Sequence, residues 1–217
     1  LYDTSSLAGK ARLVKVRSVV EEILGNETKY VARGRKPRLI LTAGMPGAGK
    51  TTALKRVLGD NYADNFAVLN IDEVKPKLGW SDAPYTGAND TFFQNEASHI
   101  VDHARQVAMQ QKKDIIIDGT LSDFTWAKTQ IDEAVAQGYE VEIVGVTIRP
   151  AIALERALVR SQSDVRRYAP LDYVRRLANS VNENVYRLAK EFDLLPIQKI
   201  TVFNNDKTLV EWYDAVK

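Results

Sequence analysis

Eight consecutive residues restrict the possible folds of this chain more than any others: Gly44-Met45-Pro46-Gly47-Ala48-Gly49-Lys50-Thr51. They fit the pattern G-x-x-x-x-G-K-[ST] in full. The apolar run RLILTAG at 38–44 precedes them and reads as a strand; a helical pattern from about Gly49 to Leu58 follows. Glycines at these offsets let backbone N–H groups curl around an anion where a Cβ would obstruct the turn. The start of the following helix aims its positive end at the same point. The expected phosphate cradle comprises Gly44, Pro46, Gly47, Ala48, Gly49, Lys50, Thr51 and Thr52. In it, Lys50 reaches β- and γ-phosphates and the Thr51 hydroxyl completes a Mg²⁺ shell.

The rest of the chain alternates short apolar runs with helical patterns. FAVLN (66–70), IIID (115–118), EVEIVGVTI (140–148) and KITVFNN (199–205) read as strands. One long helix carries Phe93, Ala97, Ile100, Val101, Ala104, Val107 and Ala108 on a single face. Further helices are expected at 124–137, 151–161, 171–193 and, as a short closing piece, 207–217. Strands separated by helices indicate an α/β class with three α/β/α layers and a mainly parallel sheet of about five strands. Leu7, Ala11, Val14, Val19, Ile23 and Leu24 add an extra N-terminal helix, which Gly25-Asn26 stops. The expected organisation is an N-terminal helix and basic connector over 1–37, then one domain over 38–217. In such sheets ligands sit beyond the carboxyl ends of the strands.

Composition narrows the function. Apolar residues make up 45% and charged residues 27%, close to the soluble globular average, which argues against a disordered or fibrous chain. Lys plus Arg is 30 against 28 for Asp plus Glu, a net charge of +2, so neither nucleic acid nor a membrane surface is an expected partner. The basic stretch Lys29, Arg33, Arg35, Lys36, Arg38 has only Tyr30 beside it and reads as a solvated connector. Cysteine is absent, which excludes disulfides, thiolate metal sites and thiol nucleophiles. No apolar stretch approaches the length of a membrane span, and a secretory leader is not evident. The chain opens on Leu1 rather than Met, so a trimmed start is expected.

Acids at strand ends supply the chemistry. Asp118 closes the run Ile115-Ile116-Ile117 and stands where it can hold a metal-bound water or position a substrate group. Asp72, in Leu69-Asn70-Ile71-Asp72-Glu73-Val74-Lys75, belongs at the same sheet edge and is the candidate base for an acceptor hydroxyl. Arg156 and Arg160 are neighbours on one helix face, and Arg167 lies beyond a polar break, as in a lid. Guanidinium groups there suit the charge that develops on a transferred phosphoryl group. The guanine-reading order Asn-Lys-x-Asp does not occur; Asn204-Asn205-Asp206-Lys207 has the wrong order. These features favour a kinase over a switch-type NTPase or a non-catalytic binding protein.

Several strings together resemble the zeta toxin family of P-loop kinases: GMPGAGKTT (44–52), LNIDEVK (69–75), NEAS (95–98), IIIDGTLSD (115–123) and ERALVR…RYAP (155–170). The resemblance runs through most of 38–193 and implies the P-loop kinase fold, ATP and Mg²⁺. It assigns the base to Asp72, substrate or metal-shell contacts to Asp118 and Thr120, and γ-phosphate contacts to Arg167 and to Arg160 or Arg156. It also implies a nucleotide-sugar acceptor such as UDP-N-acetylglucosamine or, in a related branch, the dinucleotide NAD. An antitoxin or chaperone-like protein partner is implied too, in a bacterial cytoplasm or with the protein secreted as an effector. Three positions depart from the pattern: Asn70 where many members have an acid, Lys77-Leu78-Gly79-Trp80 where they often have His-Pro, and Ser122 where Arg is common. Glu96 and Asp102 compete as the substrate-side carboxylate of the long helix. Helical projection favours Glu96, whereas ungapped counting back from Asp118 favours Asp102. His99 and His103 read as a surface pair, and Trp80, Tyr85, Phe92 and Phe93 as packing or stacking aromatics.

Overall fold

The computed structural model describes the backbone of residues 5–25, 31, 34–79, 87–163, 171–206 and 211–216. Six strands form one sheet: β1 (Arg38–Gly44), β2 (Ala67–Leu69), β3 (Ile115–Ile117), β4 (Glu140–Thr147), β5 (Lys199–Asn204) and β6 (Glu211–Val216), in the order β2-β3-β1-β4-β5-β6. The first five are parallel. β1 lies inside the sheet, pairing Leu39 with Ile115 of β3 on one side and with Val141 of β4 on the other. The first crossovers run to one side of β1 and the later ones to the other. The crevice beyond its carboxyl end is therefore the natural ligand position.

Among the described residues seven α-helices accompany the sheet: α1 (Leu7–Leu24), α2 (Lys50–Leu58), α3 (Ile71–Lys77), α4 (Gly87–Gln110), α5 (Phe124–Ala136), α6 (Pro150–Ser163) and α7 (Leu171–Lys190). Ser6 caps α1 by accepting from the Gly9 N–H at 3.0 Å, and Gly25, at φ 63°, closes it. The strands are apolar at successive positions because both faces are covered. Leu39, Leu41, Ile115 and Ile117 join a buried cluster with α1, α4, α5 and the Val185–Leu188 end of α7. Ile40 and Ile116 join a second cluster with α2, α6 and Val174, Leu177 and Val181 of α7. Each of these fully buried aliphatic side chains contributes roughly 1.5–3 kcal/mol by leaving water.

Two elements differ from the sequence expectation. Instead of a helix over 207–217, residues 211–216 form β6, antiparallel to β5 with Lys199 opposite Val216 and Asn204 opposite Glu211. The segment Glu-Trp-Tyr-Asp-Ala-Val carries aromatic and β-branched residues, and pairing it satisfies the otherwise open edge of β5. The second difference is α3. The strand stops at Leu69, and Asn70 starts a short helix by accepting from the Asp72 N–H at 2.9 Å.

Candidate active site

The turn between β1 and α2 is fixed from three sides. Gly47 (φ 83°) and Gly49 (φ 97°) occupy the left-handed region. A Cβ on Gly47 would lie 2.6 Å from the Ala153 carbonyl oxygen of α6, and one on Gly49 would lie 2.9 Å from Asn205 Nδ2. Both positions thus exclude a side chain by conformation and by space. Asn205, just past β5, donates from Nδ2 to the Ala48 carbonyl at 2.7 Å and from its backbone N–H to the Thr147 carbonyl at 2.9 Å. Gly44 N–H donates to the Thr120 carbonyl at 3.1 Å, and Lys50 Nζ to the Gly44 carbonyl at 3.0 Å. Met45 and Ala48 are fully buried beneath the turn, Pro46 is half-buried, and Thr51 and Thr52 are exposed on the first turn of α2. Gly49 offers no side-chain cap, and the positive end of α2 opens at this turn, where it suits an anion.

Beside the turn, one polar network joins β1, β2 and β3. The Asp118 N–H donates to the Leu69 carbonyl at 2.9 Å, which extends the β2–β3 pairing to the strand ends. The buried Thr42 hydroxyl donates to Asp118 Oδ1 at 2.8 Å and accepts from the Gly119 N–H at 3.0 Å. Asn70 Nδ2 donates to Asp118 Oδ2 at 2.8 Å. Asp72 stands in the first turn of α3, 69% exposed, with Lys75 Nζ 3.7 Å from its Oδ1. The Thr120 hydroxyl donates to Ser122 Oγ at 3.3 Å, and Thr120 lies close enough to Tyr173 to act on its hydroxyl. Burial pushes the Tyr173 hydroxyl above its ordinary pKa of 10.0, and the negative charge of Asp72 adds to the rise; Thr120 and Arg176 act the other way. Burial also raises the Tyr62 hydroxyl, helped by Asp118 and Glu73. Asp72, Asp118, Thr120 and the cradle therefore share one sheet edge, with Tyr173 of α7 above it.

α7 positions this edge as well. Asn184 Nδ2 donates to the carbonyls of Leu121 and Ser122 at 3.1 and 2.9 Å, steadying the turn that carries Thr120, where Leu121 adopts φ 59°. Neither Tyr173 nor Asn184 stands out in the sequence, because each acts on residues more than 50 positions away. The polar positions on an otherwise amphipathic helix were the only signal.

The two carboxylates of α4 have different surroundings. Glu96 is 8% exposed and paired with Arg12 of α1, which donates from Nε to Oε1 at 2.9 Å and contacts Oε2 through Nη2. Arg12 Nη1 also donates to the Leu78 carbonyl at 2.6 Å. Asp102 is 56% exposed and bonded to Arg105 at 2.9 Å, and Arg105 continues to Glu133 of α5. His99 and His103 are exposed, and among the described residues no His, Asp or Glu cluster suits a metal ion. Arg156 borders the cradle: a Cβ on Gly47 would lie 3.3 Å from its Cβ. Arg160 follows one turn later on α6. Its side chain, that of Phe92, and the whole of Arg167, Trp80 and Tyr85 lie outside the described residues. A separate cleft of about 470 Å³ opens at the amino-terminal end of the strands, lined by Arg35, Arg38, Tyr62 and Asp114 among others. Its arginines are matched by Asp114 and Glu142, away from the cradle.

The family model for zeta toxin matches residues 20–216. The chain belongs to the zeta toxin family. That match contains the cradle, Asp72, Asp118, Thr120 and Arg156, while Arg12 lies before it. No curated protein sequence matches the chain at a significant level. Among solved structures it resembles a chain of the PezAT chromosomal toxin–antitoxin system of Streptococcus pneumoniae, with 19% identity and a TM-score of 0.69 over 99% of this chain and 82% of that one. It also resembles a chain of the AvrRxo1-ORF1:-ORF2 complex with ATP, with 17% identity and a TM-score of 0.78 over 96% of this chain and 66% of that one. At these identities the likeness establishes a shared fold.

Proposed function

We propose that this zeta toxin family member is an ATP- and Mg²⁺-dependent small-molecule kinase. Its acceptor would be a sugar hydroxyl of a nucleotide-sugar such as UDP-N-acetylglucosamine. The observation that carries this reading is the shared edge: a pinned glycine turn, an exposed Asp72 and a hydrogen-bonded Asp118 around one crevice. Lys50 and the α2 amides bind the β- and γ-phosphates. The acceptor oxygen attacks the γ-phosphorus, its proton passes to the Asp72 carboxylate, and the bond to the β–γ bridging oxygen breaks to release ADP. Arg167, with Arg160 or Arg156, supplies positive charge around the transferred group.

A hydroxyl and a carboxylate are hard oxygen donors of the kind Mg²⁺ prefers, so Thr51 and Asp118 fit the ion and would hold it. When bound, Mg²⁺ neutralises charge on the phosphate oxygens. Thr120, and Glu96 if released from Arg12, are proposed acceptor contacts. A second reading is transfer to a ribose of a dinucleotide such as NAD: Ser122 stands where Arg is common in the family pattern, at a position where substrate should be read. The toxin–antitoxin description of the Streptococcus pneumoniae neighbour supports an antitoxin-like protein partner.

The test is incubation with labelled ATP, Mg²⁺ and a panel of nucleotide-sugars and dinucleotides, with the labelled product identified by mass. One acceptor gaining a phosphoryl group supports the kinase reading, and Lys50→Ala should abolish that product. Release of free phosphate with no acceptor modified would replace it with an NTPase.

A further inference from the structure

We propose that Asn70 is a positioning residue that sets the base and the second acid of the site as one unit; the proposal rests on the kinase reading above. Its amide makes two bonds of opposite sense. Oδ1 accepts from the Asp72 N–H at 2.9 Å, and Nδ2 donates to Asp118 Oδ2 at 2.8 Å. A backbone N–H only donates and an ionised carboxylate only accepts, so only one orientation of the amide serves both partners. Asp118 is gripped on its other oxygen by the Thr42 hydroxyl at 2.8 Å. Its rotation is thereby fixed. The same amide fixes the first turn of α3, on which Asp72 rides.

No other side chain type of this size does both jobs. Serine at 70 would cap α3, but its one oxygen serves the cap, and the side chain is too short to carry its O–H to Asp118 as well. Aspartate would cap α3 and place a carboxylate oxygen against Asp118 Oδ2, where two like charges repel. An amide therefore holds the two carboxylates in register without adding negative charge to a crevice that must receive a polyphosphate.

Three variants separate these roles: Asn70→Ser, Asn70→Asp, and Asn70→Asp combined with Asp118→Asn. Each is measured by urea unfolding and by steady-state phosphoryl transfer to the acceptor found in the panel. Asn70→Ser is expected to lower kcat about tenfold, the scale of one lost bond to a charged group, with the KM for ATP changed less than about twofold. A merely structural residue would not split kcat from KM in this way. Asn70→Asp should unfold at lower urea than Asn70→Ser although its cap is at least as good. The double variant re-forms the bond with donor and acceptor exchanged, so it should regain the urea midpoint without regaining transfer. Wild-type kcat in Asn70→Ser, a loss expressed only in KM for ATP, or Asn70→Asp as stable as Asn70→Ser would each overturn the proposal. If the wild type phosphorylates no acceptor, the kinase reading fails, and the order of urea midpoints alone upholds or overturns the Asn70 link.

Discussion

Gly47 shows how closely single residues are specified at the crevice. It combines φ 83° with an approach that would bring a Cβ to 2.6 Å from the Ala153 carbonyl. Backbone oxygen cannot yield as a flexible side chain would. Gly47→Ala is therefore expected to cost at least about 1 kcal/mol in stability through conformation alone and to weaken ATP binding further by deforming the turn. Urea unfolding and calorimetric titration with ATP measure the two effects. Asp72 makes the opposite case, being exposed and removable without a cavity. Asp72→Asn should leave ATP affinity within about twofold while transfer falls by about 10² to 10⁴. An unchanged rate would remove Asp72 as base. The cradle was legible in the sequence because its pattern is contiguous and needs particular residue types at fixed offsets. Asn70 and Tyr173 were not, since an amide or a phenol acquires its role only when folding brings Asp118, Thr120 and Asp72 to it.

At the scale of elements, the tie between α1 and α4 carries the largest expected energy. Glu96 is buried and its carboxylate is gripped by Arg12, whose third contact is the Leu78 carbonyl beyond α3. Arg12→Ala leaves a buried charge without this partner, and unfolding free energy should fall by roughly 3 kcal/mol. Arg12→Met combined with Glu96→Leu should lose much less, because no charge is then stranded; equal losses in both variants would refute this account. Helix periodicity located α1, α4, α5, α6 and α7 from apolar spacing alone, but it could not find α3, whose seven residues Ile71–Lys77 are too few for a periodic signal. It also misread 207–217, where the deciding factor is the open edge of β5 rather than anything local. The burial of Glu96 and the exposure of Asp102 were visible as a difference of helix face. Arg12 as the partner of Glu96 was not, lying 84 positions away.

For the molecule as a whole, ligand binding and folding should be coupled through the crevice. If the site binds Mg²⁺-ATP, ligand at about 100 times its Kd should add about 2.7 kcal/mol to unfolding free energy. The corresponding rise in melting temperature should be absent in Lys50→Ala. Alkaline stability has a separate origin at the other end of the sheet. The buried Tyr139 hydroxyl donates to the Lys113 carbonyl at 2.9 Å, and burial lifts its pKa well above the ordinary 10.0, with Asp114 adding to the rise. The unfolded chain thus releases this proton first, so stability is full below pH 10.0 and falls as pH rises beyond it. Tyr139→Phe should be less stable at neutral pH and should show a shallower alkaline decline in urea midpoint. The side chain that braces Ala48 comes from Asn205, 157 positions further along the chain. On the ribosome, the glycine turn emerges long before its brace has been made. The turn is thus braced only after β5 has been synthesised and paired with β4.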